Sequence, residues 1–341
     1  MPRPSRTLAA AVALLALLAG GCSSVASGDD EIVRVYSARH YDLEPAFEQF
    51  AEETDISVEF LYGGDAELRK RIAAEGEDTL ADVYMTVDAG NLHLAAEEGM
   101  FQPVESEVLE EAIPEPLRDP QGRWFGLSRR ARTIVYDPEA VDPSELSTYE
   151  ALAEPEWEGR LCLRRSTNVY TQSLVASLIV HHGEERAREI VSGWADNATI
   201  LNNDIEILEN IAAGECEVGI VNHYYLARLL EDDPDFPVEI FWANQSGDGL
   251  DGRGVHVNTS GAGVTAHADD PDLALRLLEW LATDGQEAFV AGNHEYPANP
   301  EVEPDPLIAS FGEFRADDLG AADYGSRNAD AIRLMAEAGY R

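Results

Sequence analysis

The sequence predicts an α/β protein of two lobes, each built on a doubly wound mixed sheet, and three observations carry that prediction. The chain has 341 residues, too many for one ordinary core of roughly 100–200 residues. Strand-like and helix-like segments alternate along it in two separate runs, the pattern of parallel sheets covered by helices. Two extended stretches, 124–136 and 254–265, stand where the chain would cross between the runs.

In the first run, 32–36 alternates apolar and polar residues as a strand does, and Leu43, Ala46, Phe47 and Phe50 then recur at helical spacing behind Asp42 as N-cap. Segment 56–62 is the next strand, closed by Gly63-Gly64, and 65–75 the next helix. Segments 80–87 and 88–98 repeat the pair. The second run opens with a strand at 161–163 and a helix at 171–181, and continues with a strand at 217–221 and a helix at 225–230. Amphipathic helices at 273–281 and 330–338 close the chain. One lobe is therefore expected to comprise 32–129 plus about 254–300, and the other 130–253 plus about 301–341.

The N-terminus reads as an address. Arg3 and Arg6 precede an acid-free apolar run, 8–19, shorter than the about 20 residues of a comfortable membrane span. It ends Leu18-Ala19-Gly20-Gly21-Cys22. Small residues just before a cysteine resemble a bacterial lipoprotein signal, which would remove 1–21, lipidate Cys22 and leave 22–31 as a polar tether. Ordinary secretory cleavage after Ala26 is the alternative. Either route exports the chain. In an oxidising compartment the remaining even pair, Cys162 and Cys216, reads as a disulfide.

Composition excludes more than it identifies. With 65 Asp+Glu against 24 Lys+Arg the formal net charge is −41, so a nucleic acid would be repelled. Hydrophobic residues at 45% still permit packed cores. Lys70 is the only lysine, and a uniformly acidic, lysine-poor surface suits a halophilic setting where salt screens self-repulsion. Gly247-Asp248-Gly249-Leu250-Asp251-Gly252 matches a dinucleotide fingerprint in letters, but no strand precedes it and no helix follows. His181-His182 reads as a solvated pair at a helix end before Gly183. Acid pairs are too abundant for any one of them to point to a glycosidase.

Two α/β lobes, two crossing strands and an export signal together resemble a periplasmic-type solute-binding protein of class II, with its ligand in the interlobe cleft at the strands' carboxyl ends. Three strand-to-helix junctions there deliver tyrosine: His40-Tyr41 after the first strand, Tyr170 after the Cys162 strand, and Tyr224-Tyr225 after the Cys216 strand. Phenolate is a hard anionic donor suited to a hard trivalent ion such as Fe(III), and a bound cation can displace a phenol proton near neutral pH. Neighbours on a regular helix diverge by about 100°, so Tyr224 and Tyr225 are expected at an irregular junction. Singly, each tyrosine also reads as a half-buried core residue, as Tyr36, Tyr84 and Tyr136 do.

The segments Ser37-Ala38-Arg39-His40-Tyr41, Asn168-Val169-Tyr170-Thr171-Gln172-Ser173-Leu174, Asn222-His223-Tyr224-Tyr225 and Gly254-Val255-His256-Val257-Asn258 resemble the FutA-like branch of the ferric-binding protein family. Trp124-Phe125-Gly126 and Phe311-Gly312-Glu313-Phe314 add to the likeness. The resemblance implies iron ligands at Tyr41, Tyr170, Tyr224 and Tyr225, with His40 as a fifth. Arg130 and Arg228 would balance charge, and His223 stands where a threonine is more usual. It further implies a non-enzymatic, monomeric, periplasmic or cell-surface subunit, lipid-anchored at its membrane. Such a subunit carries Fe(III), with Fe(II) as the alternative and no organic cofactor. It would serve an ABC permease and its ATPase. A binder of a small organic solute with the same fold is the competing reading, and a secreted hydrolase the one from another class. From the charge alone, thermal stability is expected to rise from dilute to molar sodium chloride; a flat or falling series of melting temperatures would reject the halophilic reading.

Overall fold

The computed structural model describes residues 31–39 and 44–341. The expectations placed on the signal, Cys22, the tether, His40, Tyr41 and the Asp42 cap lie outside the described residues.

Alternating hydrophobicity yields the expected first run. Strands β1 (Ile32–Ser37), β2 (Ser57–Tyr62) and β3 (Val83–Thr86) are parallel, with α1 (Glu44–Thr54), α2 (Asp65–Glu75) and α3 (Ala89–Glu97) interleaved. Val33, Val35 and Phe50 are buried among them. Helix α4 (Glu107–Ala112) is one that periodicity does not announce, since six residues barely complete a repeat. Ser106 caps it, its hydroxyl accepting from the Leu109 amide at 3.1 Å.

The first crossing segment forms β4 (Phe125–Tyr136). After β5 (Leu161–Arg164), α5 (Val169–Asn197) consists of two helical stretches that meet at Gly183, and the first ends where the sequence predicts. Gly183, at φ 76° and ψ 165°, breaks the helical backbone there, which explains the stop signal in the sequence. Buried Ala187, Ile190, Val191 and Trp194 then resume helical spacing. The histidines before the break are not a solvated pair: His181 meets Asp317 of the C-terminal segment at 2.6 Å, and His182 meets Glu150, from the turn that precedes β5, at 2.7 Å.

Next come β6 (Ala198–Leu201), α6 (Asp204–Ala212), β7 (Val218–Asn222), α7 (His223–Asp232) and β8 (Glu239–Phe241). The second crossing segment forms β9 (Val257–Val264), followed by α8 (Pro271–Ala282), α9 (Gln286–Ala291) and β10 (Tyr296–Pro297). Short helices α10 (Pro306–Ala309) and α11 (Ala321–Gly325) lead to α12 (Asn328–Glu337).

The strand order is β2-β1-β3-β9-β4-β7-β5-β6, with β8 and β10 pairing β4 off that path. The long β4 belongs to both halves of the sheet. Its N-terminal part pairs antiparallel with β9 as far as Ala131–Val257, and from Arg132–Asn222 onward it pairs with β7. Parallel pairs β1–β3 and β5–β7 flank this seam, which makes the sheet mixed and directs several strand ends toward it.

Cys162 on β5 and Cys216 just before β7 are bonded, with their Cα atoms 5.9 Å apart across 54 positions. The bridge ties the two strands that lead to Tyr170 and to Tyr224-Tyr225. Mass spectrometry of unreduced exported protein is expected to find no free thiol, and reduction is expected to remove ~4 kcal/mol of stability on the chain-entropy scale. Two free thiols in that spectrum would overturn the pairing.

Candidate functional site

Tyr170 is the second residue of α5, and its amide is capped by the Asn168 side chain at 3.0 Å. Tyr224 and Tyr225 lie in the first turn of α7, which begins two residues earlier than the spacing predicts. The expected irregular junction is therefore a helical turn. Their rings still meet, with centroids 4.4 Å apart and planes tilted by 36°. The Tyr224 hydroxyl accepts from Asn222 Nδ2 at 3.2 Å, and Tyr170 is near enough to act on its charge. All three tyrosines are buried, and Tyr224 has no exposed surface.

Asn222 precedes α7 as its N-cap residue but makes no side-chain capping bond. Its amide instead spans the site, donating to Tyr224 and accepting from Arg132 Nη1 at 3.2 Å. The helix start thereby gives up a cap worth about 1 kcal/mol to orient a hydroxyl.

Among the described residues three arginines, Arg130, Arg164 and Arg228, lie against the phenol rings, and Arg132 reaches Asn222 beside them. Arg130 and Arg132 lie two apart on β4 and so share a face. The Arg130 Cζ lies 5.0 Å from the Tyr170 ring centroid, and its Nη2 donates to the Val87 carbonyl in the other half of the sheet. Arg130 is 1% exposed, and no carboxylate forms a salt bridge with it among the described residues. Burial opposes its charge, yet the neighbouring Tyr170, Glu295, Tyr224 and Asp88 outweigh that and hold its pKa above the usual value. Arg132 and Arg164 both pair with Asp204, the first residue of α6, at 2.9 Å in the case of Arg132. Arg164 also lies near Tyr225 and sits 5.4 Å from the Tyr170 ring centroid. Arg228, one turn along α7, lies 5.4 and 5.8 Å from the Tyr224 and Tyr225 ring centroids. Burial first, then Tyr170 and Tyr225, push the Tyr224 phenol well above its ordinary pKa, while Arg130 acts in the opposite direction.

His223 is turned away from this group. Its Nε2 lies 2.9 Å from the His294 carbonyl and its Nδ1 3.3 Å from the Ala131 carbonyl, and its ring packs 4.6 Å from that of Tyr296. Burial pushes its pKa down to about 4, so it is neutral at physiological pH. Arg132, Arg164, Asp204 and Asn222 as a bridge were not singled out from the sequence. Arg164 and Asn222 end strands at the same junctions as the tyrosines, and that position was the available signal.

The wall contributed by the other half of the sheet is acidic. Thr86 donates to Asp65, and Asp88 caps α3, accepting from the Asn91 amide at 3.0 Å and from Asn258 Nδ2 at 3.0 Å. By contrast, Tyr36, Tyr84 and Tyr136 send their hydroxyls to Glu75, the Asp65 carbonyl and Glu239, away from the tyrosine group. Among the described residues, no cluster of three or more His, Cys, Asp or Glu is arranged to hold a metal. The tyrosine group offers convergent phenol oxygens with cationic surroundings, a setting that favours phenolate over phenol once a cation displaces the protons.

The family model for bacterial extracellular solute-binding proteins matches residues 38–288. The chain is 42% identical to iron uptake protein A1 of Synechocystis sp. over 92% of its length and 89% of that protein. It is 28% identical to the Fe(3+)-binding periplasmic protein of Serratia marcescens, over 96% of each. Among solved structures, FutA (IdiA) of Trichodesmium in complex with iron and citrate superposes with a TM-score of 0.86 at 41% identity, covering 91% of this chain and all of that one. Ferric iron-binding protein A of Mannheimia haemolytica, in an open conformation, gives 0.83 at 30% identity, over 91% of this chain and 99% of that one. The match extends the mixed α/β fold to the two-lobe architecture expected from the sequence.

Burial, followed by Asp65, pushes the Asp88 carboxyl up to about 6 against its bonds to Asn258 and Asn91. The folded state therefore holds this proton where the unfolded chain, near pKa 3.9, has lost it. Between about pH 4 and pH 6 the group takes away stability as pH rises. Asp88→Asn is expected to gain on the wild type by roughly 2 kcal/mol on going from pH 4 to pH 7. Urea unfolding at both pH values checks this, and an unchanged difference would refute it.

Proposed function

The chain belongs to the bacterial extracellular solute-binding proteins and, within them, to the ferric-binding proteins, and from that premise we propose that it captures ferric iron between its lobes on tyrosine phenolates. Tyr170, Tyr224 and Tyr225 supply one side, and Tyr41 with His40 the other. The lobes are divided as the sequence suggests, 32–129 plus about 254–300 against 130–253 plus about 301–341. The protein is an exported monomer, held at its membrane through lipidated Cys22, and hands its cargo to an ABC permease driven by an ATPase. It performs no catalysis and uses no organic cofactor.

One observation carries the reading: three buried tyrosines from two helix starts converge beside Arg130, a buried cation with no carboxylate salt bridge among the described residues. Four phenolates bring four negative charges against the three of ferric iron, and Arg130 offsets the excess. A ferrous ion would leave a larger excess and retain fewer deprotonated tyrosines. The relatives named for iron uptake and Fe(3+) binding support the same cargo. A small organic solute stacked on the tyrosines explains their rings but leaves Arg130 uncompensated unless that solute is itself an anion.

Ferric titration followed by visible absorbance tests the reading, because phenolate-to-iron charge transfer gives a purple-red band that neither a solute binder nor a hydrolase would show. Tyr41→Phe, Tyr170→Phe, Tyr224→Phe and Tyr225→Phe are each expected to weaken binding about tenfold or more and to move the band. Tyr36→Phe, bonded to Glu75 elsewhere, should change nothing. An unchanged spectrum in the Tyr224→Phe/Tyr225→Phe double variant would reject the phenolate site.

A further inference from the structure

One short segment touches both the end of β1 and the start of α7. After α9 the chain turns through Asn293 and His294, the latter at φ 50°, and Tyr296–Pro297 then pairs with Arg129 and Ser128 on β4. Between them Glu295, 2% exposed, meets Arg39 Nη1 at 2.5 Å and accepts from Ser128 and from Asn293 Nδ2. Arg39 is itself buried, donates to the Phe289 carbonyl at 2.9 Å and lies 4.1 Å from the Phe289 ring centroid. It lies two positions after the end of β1. On the other side, the His294 carbonyl bonds His223 Nε2 at 2.9 Å, and Tyr296 packs on the His223 ring, one position before Tyr224.

We propose that Glu295 is a positioning residue, and that the 293–297 strap sets the register between Arg39 at the end of β1 and the Tyr224-Tyr225 helix start. The proposal rests on the ferric reading for its purpose. A surface ion pair could not do this, because exposed pairs hold little energy and less order. Here both charges are buried, so a removed partner leaves the other stranded and the turn around it relaxes. Burial works against the Glu295 charge, but Arg39 and Arg130 outweigh it and keep its pKa below the usual carboxylate value. Glu295 thus also contributes to the field that Arg130 brings to the phenols. Because the strap is hydrogen-bonded into β4, a displacement at Glu295 is passed along a few residues to the His294 carbonyl rather than dissipated in a loop.

Hydrogen–deuterium exchange on metal-free exported protein reads the coupling without iron. In Glu295→Gln, peptides covering 36–47 and 222–230 are both expected to exchange about tenfold faster or more, with the β5 peptide unchanged. The Arg39→Met/Glu295→Leu pair removes both charges while filling the space with apolar side chains, so it folds even where the single variant does not. It should show the same two-sided loosening, because Ser128 and Asn293 lose the carboxylate that ties the strap to β4. Ferric affinity in both variants should fall about tenfold or more, because fewer molecules hold the two sides in register. The band should stay in place, since no ligand is changed. Loosening on one side only, or none in either variant, overturns the proposal. A wild-type protein that stays colourless with ferric salt instead rejects the iron reading, and the exchange result is unaffected by it.

Discussion

The structure depends on keeping one guanidinium charged in the interior. Arg130 sits on the strand that belongs to both halves of the sheet, reaches the Val87 carbonyl in one and the Tyr170 ring in the other, and has almost no contact with water. A buried cation without a paired anion is costly. What surrounds Arg130 instead is a set of phenols that can become anions, together with Asp88 and Glu295 at longer range. Among the described residues no carboxylate pairs with Arg130 directly, and on the proposed reading a cation that converts phenols to phenolates places further anions beside it. The same residue spans the two halves, so the electrostatics of the cargo and the geometry of the seam are linked through one side chain.

The phenols can be held so close only because their backbones are fixed by other means. The disulfide ties β5 to the chain entering β7, and Asp204 draws in both Arg132 and Arg164. Asn222 spends its amide on Arg132 and Tyr224 rather than on capping α7. Helix starts are natural anion sites because their amides and dipoles favour negative charge. Two of them meet here. The arrangement puts rigid elements beneath the donors, so a bound cation finds them gathered beforehand.

Much of this was legible in the sequence because it follows from local chemistry. Alternation and helical spacing located β1 to β3 and their helices, and the strand-to-helix junctions located the tyrosines that the structure brings together. What sequence spacing missed depends on distant partners. Gly183 does stop the first stretch of α5 as it reads, but the second stretch beyond it was missed, and packing of Ile190 and Trp194 shows what holds that stretch. Helix α6 was missed although Asn203 caps it and Asp204 opens it, since its nine residues offer a short periodic signal. His181 and His182 read as solvated because nothing local announces that Glu150 and Asp317 fold over them. Tyr224 and Tyr225 were expected to leave the helical path in order to meet, whereas the first turn of α7 brings the rings together within it.

The contrast between surface and site bears on cation choice. A chain with 65 Asp+Glu and a net charge of −41 presents carboxylates everywhere, and carboxylates suit calcium and magnesium as readily as iron. Such a surface concentrates cations without distinguishing among them. Phenols are different, because with a pKa of about 10 they are neutral at pH 7 and must lose protons to become strong donors. A weakly polarising ion such as calcium gains too little from the phenolate to displace that proton, and water competes with it. A trivalent ion gains enough. On the proposed reading, burying tyrosines at two helix starts beside arginines gives the interior a selectivity that the acidic exterior lacks. The cationic surroundings add to this by repelling any divalent ion that does not bring a phenolate into being.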